Sequence, residues 1–434
     1  MQNLNEEHYT RSVIELADIV PVITSQEVFS STGIKLVNKG IRLNSTFFER
    51  LGRHNIMPPL EQCLIVENGV SNFDVVSLAQ QLLETDPPLA RMTNQIPNTA
   101  VLFEVLQAVE LSDPMVFLLT LARERRARLF THSVSVALIC MYLGIRLGLP
   151  RQKLIELATA GLLHDLGELR IDAKALEEGA HPTRAEREQI YTHPATTQRM
   201  LLNSSIYSME IVNAVMRHHE YIDGSGFPFG LMGIEMGQAA KILSIAEVAA
   251  TKLELEALDG IPRLEVVLKF NMQKFDPVLL GFLSVLYERE AGSLEDEPQT
   301  VTLVSLLHIH NQINSISLAL VFWQRLLGDI QIRPRSPSAY IQQRLKSLSQ
   351  ATREAGINTS DGDSVTTGIG DDEKCLVDLN QINQETLRQI MEIVFEVQRR
   401  WPNYQSDVTD VGKVVSGWME HMQGLLLDER ERKF

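Results

Sequence analysis

Three cysteines in 434 residues, Cys63, Cys140 and Cys375, are too few, too far apart and odd in number for a disulfide framework or a zinc ribbon. An excess of positive charge is also absent. Lys and Arg total 40 against 55 Asp and Glu, a net charge of −15, which argues against a nucleic-acid polymer or an anionic membrane as main partner. A small anionic nucleotide remains compatible, because a bound cation reverses the local field. No apolar run reads as the ~18–20 residues a membrane helix needs, and the start, MQNLNEEHYTRSV, is polar and acidic, unlike a signal peptide. A cytoplasmic, soluble protein is expected. There is no recognisable nucleophile motif, no phospho-acceptor pattern of a receiver domain and no nucleotide-binding glycine box. The length predicts two or three domains.

What is present is a set of histidines in the wrong company. His132, His164, His193, His218 and His219 lie in otherwise apolar helical segments. Leu154, Leu157, Ala158, Gly161 and Leu162 recur at helical spacing, and the next position in phase is Asp165. Ile211, Ala214 and Val215 lead in the same way to His218, with His219 on the flank. Ala240, Leu243 and Ala250 share a face with Glu247. Imidazoles and carboxylates are costly to bury uncompensated, and a cation is the commonest compensation. The set is a candidate metal site. Any one of these histidines alone reads as an ordinary core or surface residue.

The same residues carry a family resemblance. HSVSVALICMYLGIRLGL, AGLLHDLGELRI, YTHPATTQRML, VMRHHEYIDGSGFPFGLMG and KILSIAEVAAT occur in the order and approximate spacing of the HD-GYP phosphohydrolases, a branch of the HD superfamily that hydrolyses cyclic di-GMP. KFDPVLLGFLSVL, near residues 274–286, resembles the segment closing that domain; the match covers roughly residues 115–290. The resemblance implies a mainly α fold, an HD-type all-helical metal-binding domain. It implies two divalent transition-metal ions, iron or manganese, held by His132, His164, Asp165, His193, His218 and His219, with Asp165 bridging and Glu247 where the family has Asp. His164 and Asp165 would be catalytic, and a hydroxide bridging the metals would attack phosphorus. Glu168, Asp223, Gly224, Gly226, Phe227 and Pro228 would meet the substrate. Where some members hold a third metal with Glu, this chain has Arg128.

Several positions depart from the family. Glu168 replaces a phosphate-holding lysine, Tyr221 an arginine and Phe227 the tyrosine of Gly-Tyr-Pro, and TKLELEALDG follows Glu247 where basic residues are usual. A glutamate for a lysine turns attraction for phosphate into repulsion. Two functions follow as expectations: a cyclic dinucleotide phosphodiesterase, or a catalytically degenerate member serving as a signalling or interaction scaffold around a structural metal.

The flanks read more simply. Residues 1–70 form a small mixed β/α module: within 20–68, VPVITSQEVFSSTGIKLVNKG alternates like a β-hairpin, and a helix is expected from Asn44 or Ser45 to about Gly52. Residues 71–292 are the helical lead-in and the HD-GYP-like domain, with breaks at Asp86-Pro87-Pro88 and Asp113-Pro114 and a charged run, RERRAR at 123–128, expected as a solvated helix face. Residues 300–434 form a C-terminal helical region with a flexible loop near 353–374. His308 and His310 faintly resemble the histidine box of sensor-kinase dimerisation helices, although a plain helical bundle is the preferred reading. The expected partners are a cyclic dinucleotide, proteins through the terminal regions, and a second copy of the chain in a homodimer.

Overall fold

A computed structural model describes residues 2–44, 46–47, 51, 54–176, 183–259, 263–287, 319, 321–328, 331–355 and 373–431. The chain divides into two compact units, Met1–Ile261 with Lys274–Glu288, and Pro262–Gln273 with Arg289–Phe434. The fold is mainly α with small N-terminal strands.

In the first unit, helix α1 (Gln2–Ile19) precedes strands β1 (Val22–Thr24), β2 (Val28–Ser30), β3 (Lys35–Val37) and β4 (Ile56–Met57), a one-turn helix α2 (Leu60–Cys63), and β5 (Leu64–Val66). The hairpin is β2–β3, with β4 on the other side of β2, whereas β1 pairs antiparallel with the later β5. Helix α1 was not legible as such, and most of the helix expected from Asn44 lies outside the described residues. Glu61, 4% exposed, accepts from Arg170 at 2.9 and 3.0 Å and from the Tyr9 hydroxyl at 3.3 Å, tying this module to the turn after the His164-Asp165 doublet.

The helical part runs α3 (Asn72–Thr85), α4 (Pro87–Thr93), α5 (Ala100–Gln107), α6 (Asp113–Arg125), α7 (Ala127–Arg146), α8 (Arg151–Leu163), α9 (Arg184–Ser204), α10 (Met209–Met216) and α11 (Gln238–Asp259). The proline breaks appear as expected: Asp86 caps α4 by accepting the Leu89 N–H, and Asp113-Pro114 opens α6. A capping box between Thr183 and Glu186 starts α9. The charged run at 123–128 is not one solvated face. The backbone breaks at Arg126, whose guanidinium turns inward and donates to the carbonyls of Glu168 (3.3 Å) and Ile171.

Helix α7 is the hub, packed by α6, α8 and α11. It amends the reading of hydropathy: it is long and apolar enough by composition to cross a membrane, but 83% of its apolar window is buried within the protein. Side chains such as Leu138, Ile139 and Met141 are fully buried, each contributing about 1.5–3 kcal/mol. A Cβ on Gly161 would lie 2.7 Å from the Ala137 Cα, so only glycine lets α8 approach α7 this closely, one turn before Asp165.

After α12 (Leu264–Phe270), which belongs to the second unit, α13 (Pro277–Leu283) completes the first. The second unit contains α14 (Pro337–Glu354), α15 (Glu373–Arg400) and α16 (Asp410–Glu431). Its core gathers Trp323, Ile341, Leu345, Ile390, Val397 and Trp418, with the two indoles edge to face at 5.8 Å. His308, His310 and most of the loop near 353–374 lie outside the described residues.

Candidate metal centre

Five helical segments bring the seven ligand candidates to one place. His132 projects from α7; His164 and Asp165 end α8 and start a 3-10 turn (Leu166–Arg170); His193 lies in α9; His218 and His219 follow α10; and Glu247 comes from the middle of α11. All are buried except His219, which is half-buried; His164 and His218 are 0% exposed. The 3-10 turn is held against α9 by Thr197, whose hydroxyl accepts the Gly167 N–H at 2.9 Å and donates to the His193 carbonyl at 3.1 Å. A Cβ on Gly167 would lie 2.4 Å from that carbonyl, so glycine there keeps Asp165 beside His193.

Asp165 divides the centre in two. Its Oδ2 lies 3.2 Å from His164 Nε2 and 3.9 Å from His132 Nε2, and Glu247 Oε2 closes that group at 2.8 Å from His132 and 3.0 Å from His164. Its Oδ1 lies 3.2 Å from both His193 and His218 Nε2, and the His193 Nε2 is 3.1 Å from that of His218 and 3.2 Å from that of His219. In each of the groups His132, His164, Asp165, Glu247 and Asp165, His193, His218, His219, the candidate ligand atoms all fall within 4.8 Å of one another. The longer side chain of Glu247 therefore still reaches its histidines.

The hydrogen-bonding chemistry shows that a cation fits. His164, His193 and His218 place Nδ1 at 2.8, 2.6 and 2.6 Å from the carbonyls of Gly161, Ile190 and Val215. A carbonyl only accepts, so Nδ1 carries the proton and Nε2 faces inward with a bare lone pair. These carbonyls are free for a reason. Gly161 and Val215 are in the last turns of α8 and α10, and the helical donor to Ile190 would be Pro194, which has no N–H. The lone pairs of His193 and His218 and the Asp165 oxygen thus converge on one point, with His219 Nε2 beside them, an arrangement that is repulsive unless a cation or a proton lies between them. Asp165 Oδ1 has no hydrogen-bond donor of suitable geometry despite its burial. Nitrogen and oxygen donors in this mixture suit first-row divalent ions.

Without a cation, the carboxylates favour protons on the imidazoles beside them. Burial disfavours the charged form of His164, but Asp165 and Glu247 outweigh it and raise the imidazole to about 10. His132 is likewise raised against its burial, by Glu247 and Glu254. In the other half Asp165 raises His193 against its burial, whereas burial and then the neighbouring histidines lower His218 and, further, His219. Glu168 is half-buried beyond Asp165, and burial followed by the Asp165 charge pushes its carboxyl up to about 7.

The loop expected to meet substrate wraps the edge of the second group. The Phe227 ring stacks on His219 with centroids 4.6 Å apart and packs against Tyr191 at 4.1 Å, while its N–H donates to the His219 carbonyl at 3.0 Å. A Cβ on Gly226 would lie 2.3 Å from the same carbonyl. Asp223 accepts the Ser225 N–H at 2.9 Å, Gly224 turns the chain at φ +77°, and Pro228 joins Phe227 to Phe229. Two residues had been given no role from the sequence. The carboxylate of Glu220, 0% exposed, accepts the N–H groups of Phe229 (2.6 Å), Gly230 (3.2 Å) and Leu231 (2.9 Å) and so anchors the loop. Glu254 lies 2.7 Å from His132 Nδ1. The signal for Glu254 was its spacing, seven residues after Glu247 on the same face of α11.

Residues 117–251 match the HD domain family model. Over 133 residues the chain is 34% identical to the cyclic di-GMP phosphodiesterase PA4108 of Pseudomonas aeruginosa, covering 30% of this chain and 32% of that one. This region is an HD domain of the HD-GYP type. The chain is also 28% identical over 157 residues to 3'3'-cGAMP-specific phosphodiesterase 1 of Vibrio cholerae, covering 36% of each chain. To the cyclic di-GMP phosphodiesterase PdeB of Borreliella burgdorferi it is 32% identical over 115 residues, covering 26% of this chain and 30% of that one. The chain spans about a third of the length of these curated relatives. HD-domain phosphohydrolases use divalent metals, and both groups of this HD-GYP domain could hold one.

Proposed function

We propose that the chain is a metal-dependent phosphodiesterase that hydrolyses a cyclic dinucleotide, cyclic di-GMP or 3'3'-cGAMP. The observation that carries the reading is Asp165, which turns one carboxylate oxygen to each of two ligand groups. Two divalent ions, iron or manganese, would supply an activated water and neutralise the charge that develops on the phosphoryl oxygens. His132, His164 and Glu247 would hold one ion and His193, His218 and His219 the other. The backbone bonds to Nδ1 keep His164, His193 and His218 as ligands of fixed tautomer and ring orientation. His164 and Asp165, both buried where the two groups meet, belong to the reacting core of the site. The loop from Asp223 to Pro228, with the Phe227 ring beside His219, would wall the substrate on one side, and Glu168 would stand on the other. A protonated Glu168 donates to a phosphate oxygen, whereas an ionised one repels it, so this position sets how well a phosphodiester is held.

Glu168 also supports the second reading, a catalytically degenerate scaffold with a structural metal, since no lysine replaces it in the HD doublet turn. One experiment separates the two. The protein is reconstituted with Mn2+ or, anaerobically, with Fe2+ and incubated with cyclic di-GMP, 3'3'-cGAMP and a generic phosphodiester. Linear or mononucleotide product that disappears with chelator and in Asp165→Asn supports the enzyme. A fully loaded protein inert towards all three decides for the scaffold.

A further inference from the structure

Four of the histidines show their Nδ1 partner, and not of the same kind. His164, His193 and His218 use backbone carbonyls that a helix end or Pro194 leaves free. His132 has no such carbonyl, because α7 continues unbroken to Arg146 and its i→i−4 ladder occupies the carbonyls of the preceding turn. Its Nδ1 instead meets a carboxylate, Glu254 Oε1 at 2.7 Å, presented by α11 two turns beyond Glu247. An ionised carboxylate only accepts, so Nδ1 carries a proton, and Nε2, which faces Glu247 and Asp165, is the nitrogen left to a cation. The other oxygen of Glu254 is 3.5 Å from Nε of Arg128, one turn before His132 on α7. The Glu254 side chain is 21% exposed, so it is largely screened from water where it meets His132.

We infer that Glu254 is a positioning residue of the metal centre: it orients His132, fixes its tautomer and strengthens Nε2 as a donor to a divalent cation, while Arg128 holds the carboxylate in place. A carboxylate behind a ligating imidazole raises ligand basicity more than a carbonyl does, because it carries a full charge. Among these four, His132 is therefore the ligand whose strength depends on a side chain that substitution can remove. Glu247 and Glu254 sit on one face of α11, so a single helix supplies both a ligand and the group that aims its neighbour. The inference rests on the metal-centre reading above.

The test titrates chelator-stripped full-length protein with Mn2+ by competition against a fluorescent chelator, for the wild type, Glu254→Gln and Arg128→Gln. Glu254→Gln keeps an acceptor but removes the charge. It is expected to weaken one of two sites by about 10–100-fold and leave the other unchanged. Arg128→Gln, which alters only an exposed side chain, is expected to weaken the same site by a smaller factor. It also keeps the test open should Glu254→Gln not fold. In the Zn2+-loaded protein, 15N-resolved imidazole spectra should show a His132 Nδ1–H that moves upfield in Glu254→Gln while those of His164, His193 and His218 stay put. Wild-type affinity at both sites together with an unmoved His132 proton overturns the inference. So does loss of both sites with an altered circular-dichroism spectrum, which would make Glu254 structural. A wild type that binds no Mn2+ overturns the metal-centre reading instead.

Discussion

Pro194→Ala should make the protein more stable and its metal centre worse. Proline inside a helix costs about 3 kcal/mol relative to alanine, through its missing N–H and the clash of its ring with the carbonyl four residues back. Here that carbonyl belongs to Ile190, and it accepts Nδ1–H of His193 at 2.6 Å. An alanine N–H would return to Ile190 and compete for the same oxygen. Losing one buried hydrogen bond offsets about 1 kcal/mol, so the net gain in stability of the metal-free protein should be about 1–2 kcal/mol. The cost falls on His193, whose ring and tautomer are no longer held. Its Nε2 lies within 3.1–3.2 Å of those of His218 and His219 and of Asp165 Oδ1, so the affinity of that group should fall by about 10–100-fold. Denaturant melts of the stripped protein measure the first effect and Mn2+ competition the second. A variant that is more stable and binds both ions as tightly as the wild type refutes the argument that a free helix carbonyl disciplines His193.

Glu247→Gln, which exchanges a charged ligand for a neutral amide, should weaken one site by more than about 100-fold and abolish hydrolysis, whereas Glu247→Asp should keep metal and activity; metal titration beside product analysis checks both. Glu220→Ala should cost about 1–3 kcal/mol in a chemical melt, because three partly exposed N–H groups lose a charged, buried acceptor, and should loosen the Phe227–His219 stack. The Glu168 carboxyl is raised from 4.5 to about 7. A raised acid is no burden below its unfolded value and destabilises as pH rises through its folded one. Glu168→Gln should therefore leave the stability of the stripped protein unchanged near pH 4 and raise it near pH 8. The gain there should be on the order of 2 kcal/mol, discounted for the solvent contact the side chain keeps. A difference that is flat across that range contradicts the burial argument.

The ligand candidates were legible because polar side chains in helical phase with Leu154, Leu157, Ile211 or Leu243 must enter the same interior as those apolar residues. The helices of the HD domain were legible for the same reason, and the turns at Asp86-Pro87-Pro88 and Asp113-Pro114 by local chemistry. Tertiary partners were not. Glu254 reads as one more acid in a charged stretch until α11 lies against α7, and the role of Pro194 appears only once Nδ1 of His193 is seen on Ile190. Composition alone could not tell α7 from a membrane helix, because burial by α6, α8 and α11 is a property of the fold. Arg126 in the charged run turns inward because the carbonyls of Glu168 and Ile171 need a donor, a demand that arises from a turn some forty residues away. Helix α1 carries too little apolar periodicity to announce itself, yet Tyr9, Val13 and Leu16 are buried by what the rest of the unit offers them.

The most direct test of the central claim is the metal content of the full-length protein, purified without chelator under reducing, anaerobic conditions, beside Asp165→Ala. The account predicts about two transition-metal ions per chain for the wild type and no more than one for the variant, with a lower melting temperature, since bound metal contributes to folding. A wild type carrying no metal, or an Asp165→Ala protein that retains both ions, would contradict it.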